Sequence, residues 1–160
     1  MMRVAVVAGL LLGSTLIAQQ GSLNTPAMKP KQYVNYAAEE QVVKAGRKSV
    51  VELRFRVADG FHVNSHTPKS ELLIPTNLTL QPAAGVKAAI IEYPAGTEYS
   101  FSFEPGEKLD VYTGAFTVKV PVVAESGSHT VDGILRYQAC DNAACYPPKS
   151  LPVQVVVTAK

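Results

Sequence analysis

The chain has 160 residues, room for one domain with a core of ordinary size, and its 47% hydrophobic and 18% charged content excludes an intrinsically disordered chain. The formal net charge is +2, from 15 Lys and Arg against 13 Asp and Glu, and the basic residues are scattered without a run. That distribution excludes the basic footprint of a nucleic-acid binder and the polybasic patch of a membrane-surface protein.

The N-terminus has the pattern of an export signal. Met1-Met2-Arg3 supplies a short positive region, Val4 to Leu12 an apolar run, and Ala18 a small residue at which cleavage can occur. The run is too short to cross a hydrocarbon core of about 30 Å as a helix. Residues 1–18 are therefore read as a signal peptide, 19–31 as a polar, Gly- and Pro-containing flexible leader, and 32–160 as one domain. The expected product is exported to the periplasm, soluble, and free of a membrane span once the signal is removed.

The domain reads as β throughout. In "SVVELRFRVADGFHV", Val51, Leu53, Phe55 and Val57 fall on one face and Glu52, Arg54 and Arg56 on the other, before Asp59-Gly60 turns the chain. "LTLQPAAGVKAAIIEYP" predicts a short strand, a Pro/Gly turn and a second strand. Further on, Phe116, Val118, Val120 and Val122 alternate with Thr117, Lys119 and Pro121, and the last strand places Val153, Val155 and Val157 on one face. No stretch beyond the signal shows a helical period. Turn signals recur about every 8–12 residues, which predicts an all-β, immunoglobulin-like two-sheet sandwich, with a small barrel as the alternative. The chain has no Trp and no widely separated cysteine pair, so an antibody-type inter-sheet disulfide is excluded.

The two cysteines, Cys140 and Cys145, stand in "RYQACDNAACYPPKS" between two predicted strands that pair antiparallel. Pro147 and Pro148 lack backbone N–H groups and delay ladder pairing on the outgoing side. Three readings of the pair follow from the residues alone. A structural staple across so short a loop removes little chain entropy, on the order of 2 kcal/mol. A zinc clip needs further ligands, and His62, His66 and His129 are not spaced to supply them. A thiol–disulfide exchange site needs an attackable sulfur at an accessible loop, which Tyr146 could shield when no partner is present. The spacing is not the CxxC of a redox helix. No Ser-His-Asp set, phosphate-cradling loop or carboxylate pair supports a hydrolase.

"YQACDNAACYPP" resembles the redox-active segment of the N-terminal domain of DsbD, the thiol:disulfide interchange protein family. Tyr137, Gln138, Cys140, Cys145, Pro147 and Pro148 carry the match, and "DGFHVNSHTPKSELLIPTNLTL" and "GEKLDVYTGAFTVKVPV" extend it in the family's order. The resemblance implies an immunoglobulin-like sandwich that passes reducing equivalents by dithiol–disulfide exchange and needs no cofactor and no metal. It implies Cys145 as the thiol that joins partners and Cys140 as the resolving thiol. It also implies an aromatic cap over the disulfide, which falls in "EYSFSFEPGE" with Phe101 or Phe103 as the capping ring; plain strand packing is the alternative for those rings. The implied partners are a separate membrane electron donor and a thioredoxin-like acceptor. The chain departs from well-known members in a four-residue spacer where they have five, and in having His62 and Asn64 where they carry aromatic residues. The competing function is a non-catalytic protein-binding sandwich with a structural disulfide.

Overall fold

The computed structural model describes residues 32–101 and 104–160. The expected signal peptide and leader, and the candidate capping residue Phe103, lie outside the described residues. Twelve strands are formed among those described: β1 (Val34–Ala37), β2 (Gln41–Val43), β3 (Lys48–Val57), β4 (His62–Asn64), β5 (Asn77–Leu80), β6 (Val86–Ala88), β7 (Thr97–Phe101), β8 (Glu104–Tyr112), β9 (Ala115–Ala124), β10 (Gly127–Tyr137), β11 (Ala139–Cys140) and β12 (Lys149–Ala159). They make two large sheets, β1-β3-β9-β6 and β2-β12-β10-β5, and a smaller third sheet, β11-β4-β8-β7.

The period-two alternation in the sequence is what lets the large sheets pack. Val51, Leu53, Phe55 and Val57 are all buried on β3, and the first three lie opposite Val120, Val118 and Phe116 of β9. Val131 and Leu135 of β10, with Val153, Val155 and Val157 of β12, bring the apolar face of the second sheet into the same core cluster. The intervening Glu52, Arg54, Arg56 and Lys119 stay outside that core, as the alternation demands. The fold is the immunoglobulin-like β-sandwich that the strand pattern predicts, not a barrel.

The predicted strand pair around Gln81–Gly85 is real but split. β5 joins β10 in the second sheet and β6 joins β9 in the first, so the chain crosses between layers there. The second strand is also shorter than its apolar residues suggest, ending at Ala88 and leaving Ile90 88% exposed. Pro121 of β9 is the physical reason. Its carbonyl accepts from Ala89 N, so its missing N–H lies on the side that faces β6, and the ladder loses a donor at that point. Pairing returns only as the isolated bridge between Glu92 and Lys119.

The end of the sandwich that carries the cysteines is fixed by the longest hairpin. β10 and β12 pair antiparallel from Gly127–Ala159 to Tyr137–Lys149, and the cysteine loop connects them at the second of these ends. Tyr137 is wholly buried there, its hydroxyl accepting from Tyr33 N at 3.2 Å and donating to Gln32 Oε1 at 2.8 Å. Pairing resumes at Lys149, directly after the two prolines, as expected.

Candidate redox site at the tip of the sandwich

The cysteine loop is not a free hairpin turn. After Tyr137 the chain leaves the second sheet, and β11 pairs with β4 of the third, setting Ala139 opposite Val63 and Cys140 opposite His62. The turn before β4 has Gly60 at φ +80°, a conformation that costs a residue with a Cβ. It aims β4 back under the loop. Cys140 and Cys145 are joined in a disulfide.

The two sulfur-bearing residues are unequal. Cys140 is completely buried as part of β11, whereas Cys145 stands exposed on the far side of the loop. The loop between them is closed by its own polar groups. Asp141 Oδ1 accepts from the backbone N of Ala143 at 2.8 Å and of Ala144 at 2.9 Å, and Asp141 N donates to Ala144 O at 3.0 Å. This is the local turn that Asp favours, because its carboxylate can bond the backbone two and three residues on. Tyr146 OH donates to the other carboxylate oxygen of Asp141, and Tyr146 N donates to Ala139 O at 2.8 Å.

A buried polar cluster roots the loop. The buried polar residues among those described are His62, Asn64, Ser65 and Thr76, all on β4 or beside it. Gln138 links this cluster to both ends of the loop. Its Oε1 accepts from Asn64 Nδ2 at 3.1 Å and from Ile74 N at 3.3 Å, and its Nε2 donates to Tyr146 O at 3.3 Å. Thr76 Oγ1 donates to Asn64 O at 2.6 Å, fixing the strand from beneath. Each such bond spares a buried group the cost of going unpaired.

Aromatic rings meet the loop in two groups. Tyr146 stacks on Tyr33 with centroids 5.3 Å apart, and Phe61 lies 4.7 Å from Tyr33. The second group surrounds His62, with the Tyr99 centroid at 4.1 Å and that of Phe101 at 5.9 Å. Tyr99 OH donates to Asn142 Oδ1 at 2.6 Å, tying the β7–β8 hairpin to the cysteine loop. Beside His62 opens a cleft of about 330 Å³ bounded by Asp59, Phe61, Tyr99, Thr113 and Asn142. Burial lowers the His62 pKa below its usual value, and the nearby negative charge of Asp141 partly opposes that effect.

Tyr146 lies on the disulfide loop, bonded to Asp141, and Phe101 lies against His62, the residue paired with Cys140. Phe101 is half-buried at the end of β7 and edge-on to Tyr99; it packs over His62 and is not part of the inter-sheet core cluster. Among the described residues no group of three His, Cys, Asp or Glu side chains gathers as a metal site. His129 lies within β10, near the end of that hairpin opposite the cysteine loop. Sequence reasoning missed Asn142 and Tyr33, and weighed His62 only as a zinc ligand and a departure from the family pattern. The Asp141 turn was legible as an Asp followed by small residues, but a histidine in a three-residue strand carries no signal that it will face a cysteine.

Comparison with known proteins follows the same direction. No curated protein sequence matches the chain. Among solved structures, the complex between the DsbD N-terminal and PilB N-terminal domains from Neisseria meningitidis aligns at 21% identity and a TM-score of 0.50, covering 81% of this chain and 88% of that one. The reduced DsbD N-terminal domain from the same organism aligns at 23% identity and 0.44, covering 69% and 78%. The N-terminal periplasmic domain of ScsB from Proteus mirabilis aligns at 14% and 0.47, covering 75% and 44%. The family profile described as thiol:disulfide interchange protein DsbD, N-terminal, matches residues 26–156. With its paired cysteines at the tip of an immunoglobulin-like sandwich, this chain belongs to the DsbD N-terminal domain family of thiol:disulfide interchange proteins.

Proposed function

We propose that this chain is an exported, protein-disulfide reductase type of relay, taking electrons from a separate membrane donor and handing them to thioredoxin-like acceptors through Cys140 and Cys145. The observation that carries the reading is the unequal exposure of the pair: Cys145 is open to solvent and Cys140 is fully buried. A thiolate must approach a sulfur along the S–S axis, so Cys145 is the sulfur a partner can reach. Attack there forms a mixed disulfide through Cys145, breaks the Cys140–Cys145 bond and sends its electron pair to Cys140. A second donor thiolate then attacks the mixed disulfide and leaves the dithiol. In delivery the direction reverses: Cys145 thiolate attacks the acceptor's disulfide, and Cys140 resolves the mixed disulfide, releasing the reduced acceptor.

The sulfurs and the partner's thiols supply all the redox chemistry, so the reading calls for no cofactor. Phe101 or Phe103 would shield the disulfide between encounters, while Tyr146, stacked on Tyr33 and bonded to Asp141, braces the loop. A solved domain of this fold in complex with the PilB N-terminal domain supports a protein partner at such a site. No helix among the described residues is long and apolar enough to cross a membrane.

The test is capture. Cys140→Ala in the exported protein leaves Cys145 without a resolving thiol, and the expected result is a mixed disulfide, seen on non-reducing gels and dispersed by reductant. Cys145→Ala should capture nothing. If Cys140→Ala gives no adduct, and the native pair stays oxidised in cells at every reducing poise, the disulfide is a static clip.

A further inference from the structure

Opening the disulfide puts an electron pair on Cys140. That residue is completely buried, and a thiolate without water is expensive, so a bare Cys140 sulfur is a poor leaving group. A proton delivered as the bond breaks removes that cost. His62 stands directly across the β4–β11 ladder from Cys140. Opposed residues of an antiparallel pair project from the same face, with Cβ atoms about 4.5–5.5 Å apart. His62 is 2% exposed, and the rings of Tyr99 and Phe101 hold its imidazole. Its Nε2 is buried with no hydrogen-bond partner among the described residues, a state that ordinarily costs about 1–3 kcal/mol. A buried orphan nitrogen opposite a buried sulfur calls for an explanation, and proton transfer supplies one.

We propose that His62 is the proton partner of Cys140, giving the sulfur a proton as the disulfide opens and taking it back as the disulfide closes. The inference rests on the exchange reading above and deepens it. On opening, the partner's thiolate bonds to Cys145 Sγ, the S–S electron pair passes to Cys140 Sγ, and His62, neutral at rest, passes a proton to that sulfur while its ring takes one from solvent through the adjoining cleft and ends neutral again. On closing, neutral His62 accepts the Cys140 proton as that sulfur attacks Cys145 Sγ, and the electron pair of the mixed disulfide leaves on the partner's sulfur. The cleft beside His62 gives the imidazole a route for proton exchange with solvent.

Among the described residues, the groups that face His62 are few. β7 contributes Tyr99, the chain after β8 contributes Thr113, the turn before β4 contributes Asp59 across the cleft, and the cysteine loop contributes Asp141. Asp59 and Asp141 are the charged members, and the charge of Asp141 favours the imidazolium. Asp141 is itself engaged with Ala143, Ala144 and Tyr146, which keeps its charge fixed beside the pair.

The experiment uses the full chain with Cys145→Ser, which leaves Cys140 as the lone thiol, and follows its ultraviolet thiolate absorbance against pH. With His62 present, the thiolate is expected at a pH lower by about one unit or more than in the same protein carrying His62→Gln. Native disulfide reacting with glutathione near neutral pH should be slowed at least about tenfold by His62→Gln. Superimposable thiolate titrations overturn the proposal. Should His62→Gln fail to fold, the native protein decides by imidazole NMR: the His62 titration midpoint must move between the disulfide and dithiol forms, and coincident midpoints overturn the proposal equally. Failure of the relay reading looks different, because the native disulfide would then resist glutathione altogether, whatever the single-thiol titration shows.

Discussion

His62 gives up hydration when it folds into β4, and its pKa falls from the usual 6.5, chiefly through burial and against the pull of Asp141. The unfolded ring keeps its ordinary affinity for protons. Below that value the unfolded state therefore binds more protons than the folded one, and stability present above about pH 6.5 is lost as pH falls toward the lower folded pKa. His62→Phe removes the titration while keeping an aromatic ring between Tyr99 and Phe101. Urea unfolding of the disulfide form at a series of pH values should show the native protein losing stability relative to the variant between about pH 7 and pH 5. Parallel curves over that range would contradict a buried neutral ring. Sequence reading could weigh His62 only as a metal ligand or a mismatch, because its neighbours Cys140, Tyr99 and Asp141 are brought to it by pairing across three separate strands.

At the level of elements, the site depends on how closely strands approach and on what roots the loop. Gly133 lies in the middle of β10, between β5 and β12. A Cβ there would fall 2.8 Å from Thr79 O and from Leu80 Cδ2, and the first of these is backbone. Gly133→Ala should push β5 away from β10 and cost about 1–3 kcal/mol, read from the denaturation midpoint; an unchanged midpoint would mean that β5 yields freely. Gln138 is the second point. Replacing it with Leu strands Ile74 N, Asn64 Nδ2 and Tyr146 O of their shared partner. A loss of about 1–3 kcal/mol is expected, with faster amide hydrogen exchange at Ala143, Ala144 and Tyr146 and little change in β3 or β9. Uniform acceleration through the sandwich would instead mark Gln138 as part of the global core. Strand identity was legible wherever alternation ran long, as in β3, β9 and β12. The shortness of β6 was not, because it follows from the missing donor of Pro121 on a neighbouring strand.

For the molecule as a whole, the question is whether the disulfide holds the fold or uses it. The core runs between both large sheets, while the disulfide closes a loop at one tip. Removing both cysteines as Cys140→Ser and Cys145→Ser should therefore cost only about 2 kcal/mol and leave a cooperative unfolding transition. Leu53→Ala, at the centre of β3 and 1% exposed, should cost about 2–5 kcal/mol by opening a cavity between the sheets. Calorimetry on the two variants decides the order. A double-serine protein that is the less stable of the two would make the cysteines a structural staple and weaken the relay reading. Exchange with glutathione, by contrast, should vanish in the double-serine protein and survive in Leu53→Ala as long as it stays folded.

The local pattern of residues by itself determined the class of fold and the position of the redox loop. Alternating Val, Leu and Phe allow burial only as sheet faces, and Tyr-Gln-Ala-Cys with Cys-Tyr-Pro-Pro marks a loop between strands. Asp141 declared its own turn because its bonds reach only two and three residues along the chain. Tertiary structure alone decided which cysteine is exposed and what lies beside the buried one. β11 leaves the hairpin to pair with β4, and that single crossing buries Cys140, leaves Cys145 in solvent and sets His62 opposite the buried residue. Strand pairing between distant segments depends on the packing of the whole sandwich, so no local run of residues can encode it.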